Sequence, residues 1–181
     1  ALHLLGLGPE VAAEPVASAL DDVAERCAAA NPVDMNPAKE IALALADDVP
    51  VVWGGSVMAA RAARRVAEAL RAACGRPAIA GIDSQLVPLL ERAPEPDVFA
   101  DPYEEGVPVS RPSLLVLDDG AESPTIRLGR DRVLGAAERS AVRVHEVRAV
   151  EGPDVGRFAA LLATGRFAAA YLALGLGRPA G

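Results

Sequence analysis

Hydrophobic positions along this chain follow two periods, and stretches of the two kinds alternate from one end to the other. Apolar residues spaced three or four apart indicate helices with one buried face, whereas short apolar runs or strict alternation indicate strands. The sequence therefore predicts helices over residues 2–7, 9–30, 36–46, 56–73, 85–92, 130–139 and 154–174, and strands over 49–53, 77–82, 113–117 and 142–150. Such alternation predicts a doubly wound α/β domain with a mainly parallel sheet and helices on both faces.

No internal repeat or long linker divides residues 1–181, which predicts a single domain. Residues 1–35 form a helical lead-in, and residues 36–181 form the α/β core. Within that core, residues 97–112 are rich in Pro, Glu and Gly, and we expect an irregular surface loop there. The last predicted helix either runs unbroken or is interrupted at Thr164-Gly165.

The most informative stretch begins at Asn36. Its side chain can cap a helix, and Pro37 suits the first helical position because a missing N–H costs nothing there. The apolar run 49–53 suits a central strand covered on both faces. The helix over 56–73 is predicted to end at Gly75 and to bury Val57, Ala60, Val66, Ala69 and Leu70.

Two turns that follow strands are candidate binding sites. Gly54, Gly55 and Ser56 lead from a strand into a helix N-terminus, which favours a phosphate or a sugar hydroxyl. The alternative is a tight turn in which Ser56 only caps the helix. Asp83 and Ser84 follow the next strand and can either contact a ligand or cap a helix, of which capping is favoured.

Composition narrows the classes of function. The net charge is −7 and the isoelectric point about 4.9, which argues against nucleic acid as a partner. Cys27 and Cys74 lack the spacing of a zinc site and are expected to be buried, reduced thiols, which favours the cytoplasm. No apolar run reaches the length of a membrane span, and no signal-peptide pattern opens the chain. No cofactor or metal is predicted.

Structural roles are predicted for most other polar groups. His3 and His145 are assigned to the surface or core, Asp118-Asp119-Gly120 to a turn, and Trp53 to the core. Arginines follow that turn and can form an anion patch, although a solvated link is the favoured interpretation; they are Arg127, Arg130 and Arg132.

Three motifs resemble one family. They are the segments 36–40 (Asn-Pro-Ala-Lys-Glu), 51–56 (Val-Val-Trp-Gly-Gly-Ser) and 164–173 (Thr-Gly-Arg-Phe-Ala-Ala-Ala-Tyr-Leu-Ala). In this order and spacing they look like the bifunctional phosphoglucose/phosphomannose isomerases, and more narrowly their C-terminal SIS (sugar isomerase) domain, which is flavodoxin-like. The resemblance implies tandem SIS domains, a homodimer, and interconversion of aldose and ketose phosphates.

Residues that carry catalysis in that family are missing. Its base is a glutamate in a Glu-Asn-Ala-Lys-x-Pro-Ala segment, and alignment on Pro77-Ala78 puts Ala72 at that position. Its ring-opening histidine lies in an Asn-His-Asn-Glu run, whereas residues 81–85 contain no histidine. Arg166 and Ala169 also stand where the family tends to have Asp and Ser. Isomerisation through an enediol needs a carboxylate and usually an acid beside the sugar, so no catalytic residue is assigned.

We therefore predict a phosphosugar-binding SIS domain in sugar phosphate metabolism, with a sugar phosphate bound at Gly54, Gly55, Ser56, Asp83 and Ser84. One alternative is an active isomerase of glucose 6-phosphate or mannose 6-phosphate, with its base from Asp83, from the loop around Glu104-Glu105, or from a missing N-terminal half. The other is a non-catalytic dimerisation domain. Expected partners are a second copy of the chain and an N-terminal SIS domain.

Overall fold

The computed structural model describes residues 12–95 and 110–178, so the predicted helix at 2–7 and most of the predicted loop at 97–112 lie outside the described residues. A 3₁₀ turn, Val33–Met35, precedes the second helix. The helices are α1 (Ala13–Arg26), α2 (Pro37–Ala44), α3 (Val57–Cys74), α4 (Asp83–Glu91), α5 (Pro124–Arg139) and α6 (Asp154–Gly175). The strands are β1 (Val49–Gly54), β2 (Ile79–Ala80), β3 (Pro112–Asp118) and β4 (Arg143–Arg148).

Every pairing in the described sheet is parallel, in the order β2-β1-β3-β4. One row across the sheet runs Ile79, Val51, Leu114, Val144. Helices α1, α2, α3 and α6 cover one face, and α4 and α5 cover the other. The predicted fold class, a doubly wound α/β domain of the SIS type, is confirmed.

Alternation along the central strands divides the core into two layers. Val52 and Leu115 point to the layer beneath α3 and α6, while Val51, Leu114 and Trp53 point to the layer beneath α4 and α5. All five side chains are buried. Burying a side chain of this size contributes about 1.5–3 kcal/mol, so the two central strands anchor helices on both faces.

Contrary to the prediction that no apolar run is as long as a membrane span, a search of the described residues finds one helix, α6, that is long and apolar enough by length and composition alone. It packs against α1, α2 and α3, and it contributes Leu161 and Leu172 to the core. Its contact with α3 is close because Gly165 faces Val66: a Cβ built on Gly165 would lie 2.3 Å from Val66 Cγ2. These contacts make α6 the central helix of its face of the domain.

Two of the motifs that carry the family resemblance meet in the fold. Asn36 accepts from the N–H groups of Ala38 and Lys39, both at 3.1 Å, and thereby caps α2 as predicted. The Lys39 ammonium lies 5.4 Å from the ring centroid of Tyr171 in α6. The Tyr171 hydroxyl donates to the carbonyl of Cys27 at 2.6 Å. These residues therefore join α1, α2 and α6.

Several helix limits differ from the prediction. Val57 is 71% exposed, because it is the first residue of α3 and the inward positions begin at Ala59. Helix α5 begins at Pro124 and not at residue 130, with Ser123 accepting from the N–H of Ile126 at 3.2 Å. Residues 124–128 contain the apolar Ile126 and Leu128 but no buried side chain, so no helical stripe of buried positions marks the start of this helix.

The final helix and the second strand also differ. Helix α6 continues through residues 164–165, where the Thr164 hydroxyl donates to the carbonyl of Ala160 at 2.9 Å. Asp154 is the first helical residue, and Pro153 occupies the cap position. Strand β2 spans only two of the six predicted residues.

Candidate functional site

The turn from β1 into α3 is tight because the two elements nearly touch. A Cβ on Gly54 would lie 2.3 Å from the carbonyl carbon of Ala59 and 2.4 Å from its oxygen. A Cβ on Gly55 would lie 2.7 Å from Ile126 Cγ2. Glycine is thus required at both positions, and the turn brings Ser56 to the carboxyl edge of the sheet.

The hydroxyl of Ser56 has two partners. It accepts from the N–H of Ala59 at 2.9 Å, which makes it the N-cap of α3, and it donates to Oδ2 of Asp119. Asp119 follows β3 and is only 7% exposed. Because β1 and β3 are parallel neighbours, their carboxyl ends meet, and this pair closes the gap between them.

Asp119 is the residue at this edge whose role the sequence did not indicate. Asp118-Asp119-Gly120 does form the predicted turn, with the N–H of Gly120 bonded to Asp118 Oδ1 at 2.8 Å. The contact to Ser56 joins residues 63 positions apart. The sequence does show polar residues after both β1 and β3. Because these strands are parallel neighbours, the residues that follow them meet at the same edge of the sheet.

Asp83 and Ser84 lie in the first turn of α4, so the prediction that one of them caps a helix beginning at residue 85 is wrong. Ile82 holds the cap position, and its N–H donates to Gln85 Oε1 at 3.3 Å. Asp83 instead accepts from Arg132 of α5 at 3.1 Å. Ser84 is exposed. Both follow β2, at the same edge of the sheet as Ser56.

A cavity of about 600 Å³ opens between the carboxyl ends of β3 and β4. We call it the β3–β4 crevice; it is lined by residues 118–122 and 148–151 together with Ile126, Arg127, Arg130 and Arg157. The chain leaves β3 toward α5 on one face of the sheet and leaves β4 toward α6 on the other. Ligands of open α/β sheets bind where neighbouring connections diverge in this way.

Charged groups of both signs line the crevice. Arg130 donates to Glu146 at 2.6 Å and to Asp118 at 3.5 Å. Arg148 donates to the same two carboxylates at 3.4 and 3.2 Å. The hydrogen bond that Arg130 donates to Glu146 is the main cause of the raised pKa of Arg130. All three arginines, Arg127, Arg130 and Arg132, lie on α5 and not in a link; Arg127 and Arg132 are exposed, as the favoured interpretation expects, whereas Arg130 is partly buried and paired.

The positions aligned with the family's acid and base hold no catalytic group. Ala72 is exposed near the end of α3, and residues 81–85 lie between β2 and α4. His145 lies on β4, half-buried, with Nε2 buried and without a partner among the described residues. Burial, and then the charge of Arg143, lowers its pKa.

The two cysteines are buried and unpaired, as predicted, and burial raises the pKa of both thiols. Within residues 12–95 and 110–178, no cluster of three or more His, Cys, Asp or Glu side chains is arranged to hold a metal ion.

The fold defines a doubly wound α/β domain with a crevice at the carboxyl edge of a parallel sheet. The family model described as the bacterial phospho-glucose isomerase C-terminal SIS domain matches residues 34–179. The chain belongs to this family, as its motifs predicted.

Among solved structures, the chain is similar to a glucose-6-phosphate isomerase like protein from Thermus thermophilus. The TM-score is 0.68 at 19% sequence identity, and the match covers 91% of this chain and 50% of the other. The chain thus spans about half the length of that protein, and the likeness concerns the fold. No curated protein matches the chain.

Proposed function

We propose that this SIS domain binds a sugar phosphate at the carboxyl edge of its sheet and acts in sugar phosphate metabolism in the cytoplasm. The observation that carries the proposal is the β3–β4 crevice, where carboxylates and guanidinium groups lie side by side next to the Ser56–Asp119 pair. Carboxylates accept hydrogen bonds from sugar hydroxyls, and arginines bind phosphate.

Binding without turnover is the activity that the residues favour. Ala72 offers no base at the family's position, and residues 81–85 contain no histidine to open the ring. The alternative of an active isomerase would recruit Asp83, but its carboxylate is already paired with Arg132. We therefore propose a sensor or regulator of hexose phosphates and not an isomerase.

A thermal-shift titration with glucose 6-phosphate, fructose 6-phosphate and mannose 6-phosphate tests this function. A ligand that binds only the folded state stabilises it by RT ln(1 + [L]/Kd) and so raises the melting temperature. We therefore expect a saturable rise with at least one of the three. Incubation of the same samples in D₂O should leave the C2 proton unexchanged. No rise with any of the three would refute the binding, and exchange at C2 would establish an isomerase instead.

The variant Ser56→Ala tests whether the ligand-induced rise in melting temperature depends on the turn between β1 and α3. The variant should melt earlier than the parent by the loss of an N-cap, about 1 kcal/mol, and should also lose most of the ligand-induced rise. Ser123→Ala is the matched control, because Ser123 caps α5 by accepting from the N–H of Ile126, just as Ser56 caps α3, whereas the Ser56 hydroxyl also bonds Asp119 of the crevice lining. A full ligand response in both variants would place the ligand away from the turn.

A homodimer is the second proposal, since an apolar surface is left open on the side of the domain away from the crevice lining. Val33, Leu43 and Leu176 are 44%, 62% and 38% exposed and line a shallow groove of about 290 Å³ between α2 and the end of α6. A second copy, or an N-terminal SIS domain, would bury these side chains.

Sedimentation velocity over a range of concentrations tests the dimer. We expect the parent to sediment as a dimer and Leu43→Glu to sediment as a monomer with unchanged circular dichroism, because the exposed Leu43 supports no core contact. A parent that stays monomeric at every concentration would contradict the proposal.

A further inference from the structure

The phosphate of a bound sugar needs hydrogen-bond donors, cationic ones above all, that the protein itself does not already use. The Gly54–Ser56 turn offers none: the hydroxyl of Ser56 is committed to Asp119, whose buried carboxylate repels a second anion. This corner of the site is chemically suited to a sugar hydroxyl.

Four arginines line the β3–β4 crevice, but they are not equivalent. Arg130 and Arg148 share the carboxylates of Asp118 and Glu146, so their charges are balanced within the protein. Of the other two, Arg127 pairs with no carboxylate among the described residues, whereas Arg157 pairs with one, Asp154, and keeps its Nε unbonded within the described part of the chain.

Arg127 lies in the first turns of α5 and is exposed; within the described part of the chain, no carboxylate comes within 4.0 Å of its guanidinium. Arg157 lies in the first turn of α6, and its side chain is 26% exposed. It bonds Asp154 at 2.5 Å through Nη2, and its Nε is buried without a partner among the described residues.

The turn after β3 leaves room for Arg157. Gly120 has φ +74°, and a Cβ there would lie 3.3 Å from Nη1 of Arg157. Because Gly120 has no side chain, the guanidinium of Arg157 can lie close to the backbone of this turn and reach the wall of the crevice. The N-terminal ends of α5 and α6 open toward the same edge and add positive potential.

We propose that Arg127 and Arg157 hold the phosphate of the sugar in the β3–β4 crevice, while the sugar hydroxyls extend toward Asp119 and Ser56. This inference rests on the proposed phosphosugar function and assigns its orientation: the phosphate lies at the β3–β4 end of the site and not at the glycine turn. Arg127, Arg157 and the N-terminal ends of α5 and α6 offer donors to a phosphate, while the carboxylates of the same lining, Asp119 among them, offer acceptors to sugar hydroxyls.

Calorimetric titration of a hexose phosphate into the parent chain and three variants tests the orientation. Arg127→Gln and Arg157→Gln should each weaken binding about tenfold or more, because each removes a charge-assisted hydrogen bond. Arg64→Gln on α3 is the matched control, since Arg64 is exposed and lies outside the crevice; it should bind like the parent. Circular dichroism checks that each variant is folded. If Arg157→Gln is unstable, Arg127→Gln still tests the orientation, because the Arg127 side chain is exposed and its replacement should leave the fold intact.

The possible results separate the two proposals. Weakened binding in both crevice variants with an unchanged control supports the orientation. Binding by both crevice variants at the parent's affinity would overturn the orientation and leave phosphosugar binding standing. A parent that binds none of the three hexose phosphates would overturn both proposals. If Arg64→Gln weakened binding as much as the crevice variants do, the loss of affinity would be explained by the change in net charge, and the orientation would be overturned.

Discussion

Gly54→Ala should destabilise the domain by at least about 3 kcal/mol. The added methyl group would meet the backbone carbonyl of Ala59, and backbone cannot rotate aside as a long side chain can. Relief requires α3 to move away from β1, which separates Ser56 from Asp119 as well. Urea unfolding followed by circular dichroism measures the loss, and the same variant should lose its response to hexose phosphates.

Gly81→Ala is the matched control for this substitution. Gly81 also lies between a strand and a helix, but the nearest atom to its Cβ position is the amide oxygen of Gln85, at 2.8 Å. This group terminates a flexible side chain, so the variant should lose less than about 1 kcal/mol. Equal losses in the two variants would show that the close approach of α3 to β1 is not what requires glycine at residue 54.

The second large effect is expected at the contact between α3 and α6. Gly165→Ala places a methyl group 2.3 Å from Cγ2 and 2.8 Å from Cγ1 of Val66. Val66 is fully buried, and a β-branched side chain in a helix has one strongly preferred rotamer. We expect a loss of about 2–3 kcal/mol, even though alanine is intrinsically the better helix former by about 1 kcal/mol.

Two further variants isolate this contact. Gly175→Ala changes the same helix where nothing lies within 4 Å, so its stability should be equal to that of the parent or slightly higher. Val66→Ala combined with Gly165→Ala removes the opposing methyl groups, and the pair should lose less than the sum of the single losses. Strict additivity in urea unfolding would contradict a direct clash.

The sequence was sufficient to predict those parts of the fold that depend on contacts between residues close together in the chain. Asn36 caps α2 and Ser56 caps α3, because each supplies a side-chain oxygen two or three residues before a free N–H. Gly75 ends α3 with φ +61°, a conformation that glycine adopts without strain. The apolar run at 49–53 likewise indicated the central strand.

Features that depend on distant residues could not be predicted in this way. The contact from Ser56 to Asp119 exists only because β3 inserts next to β1 and not beyond β2. The early start of α5 was not predicted because residues 124–128 contain no buried side chain: Ile126 and Arg127 line the crevice and Leu128 is exposed, so no buried apolar stripe marks this part of the helix.

The two edge strands of the described sheet affect how readily the protein aggregates at high concentration. An edge strand with unpaired N–H and C=O groups can template pairing with a strand from another molecule. Here one described edge, β2, offers only two residues, and the other, β4, carries charged side chains at Arg143, Glu146 and Arg148. A very short edge strand and charged side chains on an edge both discourage pairing with a strand of another molecule, so growth of the sheet into aggregates is disfavoured.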